Sequence, residues 1–174
     1  MPTLIEKRKT RVKQTGEVFT PDFLVKEMVD KLPKEVWKKD KTFCDPACGD
    51  GNFLIEILSR KINKHHNPLD ALKTIFGADI MSDNIAECRH RLLKEVQKHE
   101  PITVDHVKAV MKNIVWVNPK KFPNGSLDYD FSFSNSIKDK DAEKWLKFFA
   151  EETEEPEVKT EIAEDDMSDL FVKN

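Results

Sequence analysis

Residues 44–53 read CDPACGDGNF, so two carboxylates, Asp45 and Asp50, and two glycines, Gly49 and Gly51, lie between one apolar run and the start of another. Small residues at this density let the backbone come close to a ligand, and the acids decide which ligand. A polyphosphate would need donors here rather than carboxylates. A positively charged amino or sulfonium group suits them better. A further acid, Asp79, closes the apolar run TIFGADI, and from a strand end a carboxylate can accept both hydroxyls of a ribose. Ile80, next in the chain, can press on an adenine face. Together these residues imply an adenosine that carries no phosphates.

Such chemistry needs a frame that sets these residues on one edge. KTFCDP reads as a short strand, and Gly51 opens a helix in which Phe53, Leu54, Ile57, Leu58 and Ile62 share a stripe. TIFGADI is a second strand. A helix from about Ser82 to His99 follows it, with Ile85, Cys88, Leu92 and Val96 inward. NIVWVN and DYDFSFSN read as two more strands, and DAEKWLKFFAEE as a last helix packing through Trp145, Phe148 and Phe149. Ahead of them, TPDFLVKEMVDKL predicts a helix with Thr20 as cap, Pro21 in the first helical position, Val25, Met28, Val29 and Leu32 on one face, and Pro33 as its stop. The alternation predicts an α/β fold: a parallel sheet of about four strands with helices on both faces. Right-handed crossovers then put the ligand beyond the carboxyl ends of the strands. So short a sheet leaves a strand edge that a helix, a loop or another subunit must cover.

The chain has 174 residues and 39% hydrophobic content, which fits one domain with a modest core and a tail. No window approaches the roughly 20 apolar residues of a membrane span, and MPTLIEKRKTRVK lacks the apolar core of a secretory signal. The expectation is a cytoplasmic protein with no membrane partner. Residues 151–174 hold a local charge of −8 within an overall −3, which leaves +5 on the first 150 residues. A basic body with an acidic tail suits a nucleic-acid partner. The expected division is a basic flexible arm at 1–13, a ligand-binding domain at 14–150 and an acidic disordered tail at 151–174. Cys44, Cys48 and Cys88 are too few and too irregular for a disulfide framework or a zinc site, and read as buried thiols with no metal. His65 and His66 read as exposed residues at a helix end.

Three segments in order, TGEVFTP at 15–21, DPACGDGNFL at 45–54 and GADI at 77–80, resemble the DNA adenine methyltransferases that use S-adenosylmethionine, in the branch whose cofactor motif precedes its catalytic motif. The resemblance implies a Rossmann-like class I methyltransferase fold. It implies that Phe19, Thr20 and Pro21 line the methionine part of the cofactor, and that Asp45, Ala47, Gly49 and Gly51 form the turn around it. Asp79 would hold the ribose, Ile80 would flank the adenine, and Asn118 stands at or near a cofactor-adenine contact that is often acidic in the family. The family's catalytic tetrapeptide has an acidic or amide residue, two prolines and an aromatic. The aligned stretch here is SNSI, Ser134 to Ile137.

That tetrapeptide has a physical task. The adenine amine is a poor nucleophile because its lone pair is delocalised into the ring, so acceptors must draw on its hydrogens while an aromatic stacks on the base turned out of the duplex. Asn135 keeps one acceptor and the Ser136 carbonyl offers another. No proline aims that carbonyl, and Ile137 stacks poorly. Two readings stay open: an adenine methyltransferase acting on DNA, with a partner subunit or second copy completing the sheet, or an inactive cofactor-binding accessory protein. The segment DDMSDLF resembles the short peptides that hold a sliding clamp, with Met167, Leu170 and Phe171 as its apolar hook.

Overall fold

A computed structural model of the chain describes residues 20–117 and 138–154. Among the described residues there are nine elements: α1 (Asp22–Asp30), β1 (Phe43–Asp45), α2 (Asn52–Asn63), α3 (Pro68–Leu72), β2 (Ile75–Asp79), α4 (Ser82–Gln97), α5 (Val104–Asn113), β3 (Ile114–Trp116) and α6 (Asp139–Glu154). A single 3-10 turn at Lys34–Trp37 joins α1 to β1. The strands form a parallel sheet in the order β1-β2-β3, with Phe43 level with Ile75 and Gly77 level with Ile114. This is an α/β fold of the shortened Rossmann-like methyltransferase kind. The fourth expected strand, DYDFSFSN, lies outside the described residues.

Space order and chain order agree, so right-handed crossovers set α2 and α4 side by side on one face of the sheet. Gly77 makes that packing close: a Cβ there would fall 2.6 Å from Leu54 Cδ1 of α2. The period of two turns Cys44 to the opposite face, where it is exposed, while Cys48 and Cys88 are buried between loop and helix. The expectation of three buried thiols therefore holds for two. Burial and contact with the Cys88 thiol push the Cys48 thiol well up from its ordinary range, so it stays protonated.

The core follows the predicted stripes. Leu54, Ile57, Leu58 and Ile62 of α2 and Ile85, Cys88, Leu92 and Val96 of α4 are buried, and Phe53 packs at the margin. Three details differ. Pro21, not Thr20, caps α1; its carbonyl accepts from Leu24 N and Val25 N, both at 3.0 Å, and only Val25 and Val29 of the expected face are buried. On α6 the buried residues are Ala142 and Phe149, while Phe148 stays exposed because it sits one residue, about 100°, round the helix from Phe149. His65 is exposed as expected, in a left-handed conformation that ends α2, but His66 is half-buried. Helix α5, which the apolar pattern did not announce, starts at a reciprocal cap between Thr103 and His106 and buries Val107, Ala109 and Val110. Among the described residues no helix is long and apolar enough to cross a membrane.

Candidate functional site

The carboxyl ends of β1 and β2 stand next to each other, with Asp45 level with Gly77 and Asp79 two residues beyond. After β1 the chain folds back at once. Asp45 Oδ1 accepts from Ala47 N at 3.1 Å, Cys48 N donates to Ala78 O at 2.9 Å, and Gly51 N returns to Cys48 O at 2.9 Å. This path needs left-handed backbone at Gly49 (φ 53°) and Gly51 (φ 94°). Gly51 is required for space as well, since a Cβ there would fall 2.6 Å from Cys88 Sγ.

Asp79 ties the turn to the second strand. Its Oδ2 accepts from Gly49 N at 3.0 Å, while Oδ1 accepts from Met81 N at 2.7 Å and from Asn84 Nδ2 at 3.5 Å. The carboxylate is thereby fixed in orientation. A carboxylate offers about four acceptor positions, and among the described donors Oδ2 receives only Gly49 N, so capacity for a hydroxyl remains.

The charge at this edge is negative and partly dry. Burial pushes the Asp45 carboxyl up from the ordinary range, the Ala47 amide pulls it down, and the neighbouring Asp79 charge pushes it up again. A cation placed against the pair would relieve the repulsion. Asp50 differs from Asp45 in having a basic partner. Arg91 Nη1 lies 2.9 Å from Asp50 Oδ2 and donates to Asp50 O at 3.0 Å, so that acid is neutralised from α4.

The first motif reaches this turn through a residue that sequence reasoning passed over. Asn52, the first residue of α2, donates from Nδ2 to Thr20 O at 3.0 Å and so fixes the entry to α1 against the glycine turn. Its place just after Gly51 was the available signal. Thr20 is half-buried, Pro21 exposed and Ile80 exposed. Trp116, at the end of β3, was also missed; its indole Nε1 donates to Ile80 O at 2.9 Å. Thr20, Ala47, Gly49, Gly51, Asp79 and Ile80 are thus brought to one region with Asp45. Phe19, Asn118, Asn135 and Ser136, with the rest of SNSI, lie outside the described residues.

A cavity of about 230 Å³ between α1, α2 and α4 is a different place. It is lined by Asp22, Lys26, Asn52, Glu56, Arg91 and Lys98 among others, and includes none of Asp45, Gly49, Asp79 or Ile80. Its Glu56, Arg91 and Lys98 are already paired, with Arg60, Asp50 and Glu95. Among the described residues no group of three or more His, Cys, Asp or Glu side chains is gathered for a metal ion.

The residues present fit an adenosine bearing a cation: a close-approach turn, a fixed acid at a strand end with spare acceptor capacity, an exposed apolar residue after it, and a second acid without a basic partner among the described ion pairs. Comparison with known proteins gives the family. The model of the family described as N-6 DNA Methylase matches residues 3–155. The type II methyltransferase M.VspI of Vibrio sp. (strain 343) is 30% identical over 125 residues, which cover 65% of this chain and 28% of that protein. The chain thus spans under a third of that relative's length. No solved structure matches. Glycine turn, strand-end acid and family match converge, and the chain belongs to the N-6 DNA methylase family.

Proposed function

We propose that the chain binds S-adenosylmethionine at the carboxyl edge of β1 and β2 and serves as a DNA adenine methyltransferase, with a partner subunit or second copy supplying the rest of the fold. The bond from Gly49 N to Asp79 Oδ2 carries this reading, because it joins the close-approach turn to the ribose-level acid. Asp79 would accept a ribose hydroxyl, Ile80 would flank the adenine, and Asp45 would face the cationic end. Phe19, Thr20 and Pro21 would line the methionine part, with Asn118 near the adenine. The cofactor supplies an electrophilic methyl group. On the side of the target base, the Asn135 amide oxygen and the Ser136 carbonyl would accept the amine hydrogens, drawing on them so that the nitrogen lone pair is less delocalised into the ring and can take up the methyl group.

Calorimetry and a labelled-methyl assay on one sample test both halves. Binding of S-adenosylmethionine is expected, with a loss of about a hundredfold in Asp79→Ala, on the scale of one strong charge-assisted hydrogen bond. Labelled methyl groups are expected to enter duplex or single-stranded DNA and to be lost in Asn135→Ala. Tight binding without incorporation into any DNA would favour the second reading, an inactive accessory protein, which SNSI supports because it lacks both prolines and the aromatic. In that reading the 1–13 arm and the 151–174 tail act as tethers. Clamp capture lost in Leu170→Ala plus Phe171→Ala supports the hook, and unchanged capture disposes of it.

A further inference from the structure

Helix α1 buries Val25 and Val29, while its other apolar side chains face out: Phe23 is 72% exposed and Met28 47%, and Leu24 and Leu32, the latter just past the helix end, are exposed as well. Leu24, Met28 and Leu32 recur every four residues, which sets them in one stripe beside the buried pair. Scattered apolar residues need no explanation, but a continuous stripe does. Its border is basic. Residues 31–41 carry five lysines against Glu35 and Asp40, and Lys34 and Lys38 are exposed and meet no acid among the described ion pairs. The occupant that fits such a surface is apolar on one side and acidic around it.

The chain carries a segment of that kind. In DDMSDLF, Met167, Leu170 and Phe171 stand at i, i+3 and i+4 among Asp165, Asp166 and Asp169. The segment follows the stretch matched by the family, which stops at residue 155. Reach is sufficient. Helix α6 ends at Glu154, about 16 residues before the hook, a length that spans up to about 50 Å when extended. Phe149 of α6 meets His90 of α4 with ring centroids 5.3 Å apart, α4 packs on α2, and α2 on α1. Three helix-to-helix steps of about 10 Å put α1 roughly 30 Å from α6. The arm at 1–13 is nearer in sequence, but its basic charge does not suit this border.

We infer that the exposed stripe of α1 is the docking surface for the acidic hook of the same chain: Met167, Leu170 and Phe171 cover Leu24, Met28 and Phe23, and the hook's aspartates face the lysines of residues 31–41. A tether of this length gives an effective concentration in the millimolar range, so a contact too weak to last between separate molecules forms within one. The inference does not rest on the cofactor reading, because it uses neither the glycine turn nor Asp79. Any protein that captures the hook must first displace it from α1.

Photocross-linking of the full chain at low concentration tests this. With Phe171→p-benzoylphenylalanine, illumination and mass spectrometry are expected to find a cross-link within one chain, to residues 23–32. Adding Met28→Glu, an acid at an exposed position, is expected to abolish that cross-link. Hydrogen exchange is the second measurement. The amides of α1 are expected to exchange about tenfold faster in Leu170→Ala plus Phe171→Ala than in the native chain. Cross-links found only between two chains would make a second copy the occupant, and cross-links elsewhere, or none, would leave the stripe to a separate partner; each result overturns the inference. An intrachain cross-link that survives Met28→Glu, or equal exchange in the native chain and the tail variant, overturns it too. Should Met28→Glu fail to fold, the exchange comparison decides, since its substitutions lie outside the packed core.

Discussion

At the amino end of the sheet the buried polar groups are closed against one another, whereas at the carboxyl end they are held in place but left open. Lys61 is buried, and its Nζ donates to Lys41 O at 2.6 Å and Thr74 Oγ1 at 2.5 Å, joining the segments that enter β1 and β2. Thr74 Oγ1 in turn donates to Ala71 O at 2.7 Å. Asn113, buried just ahead of β3, donates to Lys73 O at 3.1 Å. Each side chain there answers a main-chain carbonyl, which is how a polar group becomes part of a core. At the other end the Asp79 charge disfavours ionisation of Asp45, and Ile80 and Trp116 present apolar surface. A closed network specifies the fold, and an open, electrostatically unfavourable one is where the proposed ligand would complete the structure.

The comparison breaks most easily at the turn that makes the carboxyl end possible. Gly51→Ala puts a methyl group 2.6 Å from Cys88 Sγ and asks an L-residue to hold φ 94°. Overpacking and left-handed backbone together are expected to cost about 3 kcal/mol, read as a lower midpoint in urea unfolding. Cofactor affinity should fall too, because a displaced turn withdraws Gly49 N from Asp79. An unchanged midpoint would mean that the turn is not as crowded as described, and the contrast between the two ends would lose its basis.

How much of this was legible in the sequence depended on whether one stretch of chain sufficed. Helices α2 and α4 were readable because their apolar residues repeat at helical spacing, and the glycine turn because CDPACGDGNF joins a strand to a helix. Asp79 was readable from its place at a strand end. Interactions spanning distant segments were not. Nothing local ties Asn52 to Thr20, Arg91 to Asp50 or Trp116 to Ile80, pairs that lie 32, 41 and 36 positions apart. Helix α5 was hidden for another reason. Its start is a cap in which His106 stands where a Glu or Gln usually does, with Nδ1 accepting from Thr103 N at 3.1 Å. The two carboxylates of the glycine turn looked equivalent in sequence, and only the placement of α4 separates them.

That separation sharpens into a trade between stability and binding at Asp45. Its folded-state pKa is raised, so the associated stability is full below the unfolded pKa and is lost as pH rises through the folded value. At neutral pH the ionised group therefore weighs against the fold. Asp45→Asn removes the charge while keeping an oxygen for Ala47 N, so the ligand-free variant is expected to match or exceed the native unfolding midpoint at neutral pH. Any advantage should shrink as pH falls and the native carboxyl protonates. Affinity for S-adenosylmethionine should drop about tenfold, the size of one charge-assisted contact. A variant that is less stable and binds equally well would show Asp45 to be a structural residue of the turn, like its counterparts at the amino end.

Lys61→Met makes the same comparison from the closed side, with the smallest effect. Burial lowers the Lys61 pKa, and the nearby Asp40 charge only partly opposes this. Between the lowered value and the ordinary lysine range the unfolded chain binds the extra proton, so native stability rises with pH across that interval. Methionine fills similar space without the charge, leaving the Lys41 carbonyl unanswered at a cost of about 1 kcal/mol at neutral pH, and should flatten the rise below the ordinary lysine range. Because among the described residues the lysine head donates to main-chain and hydroxyl oxygens at the amino edge, cofactor affinity should not move. A loss of affinity on this substitution would show that the two ends are coupled through β1 and β2, and that the closed network helps to hold Asp45 and Asp79 in register.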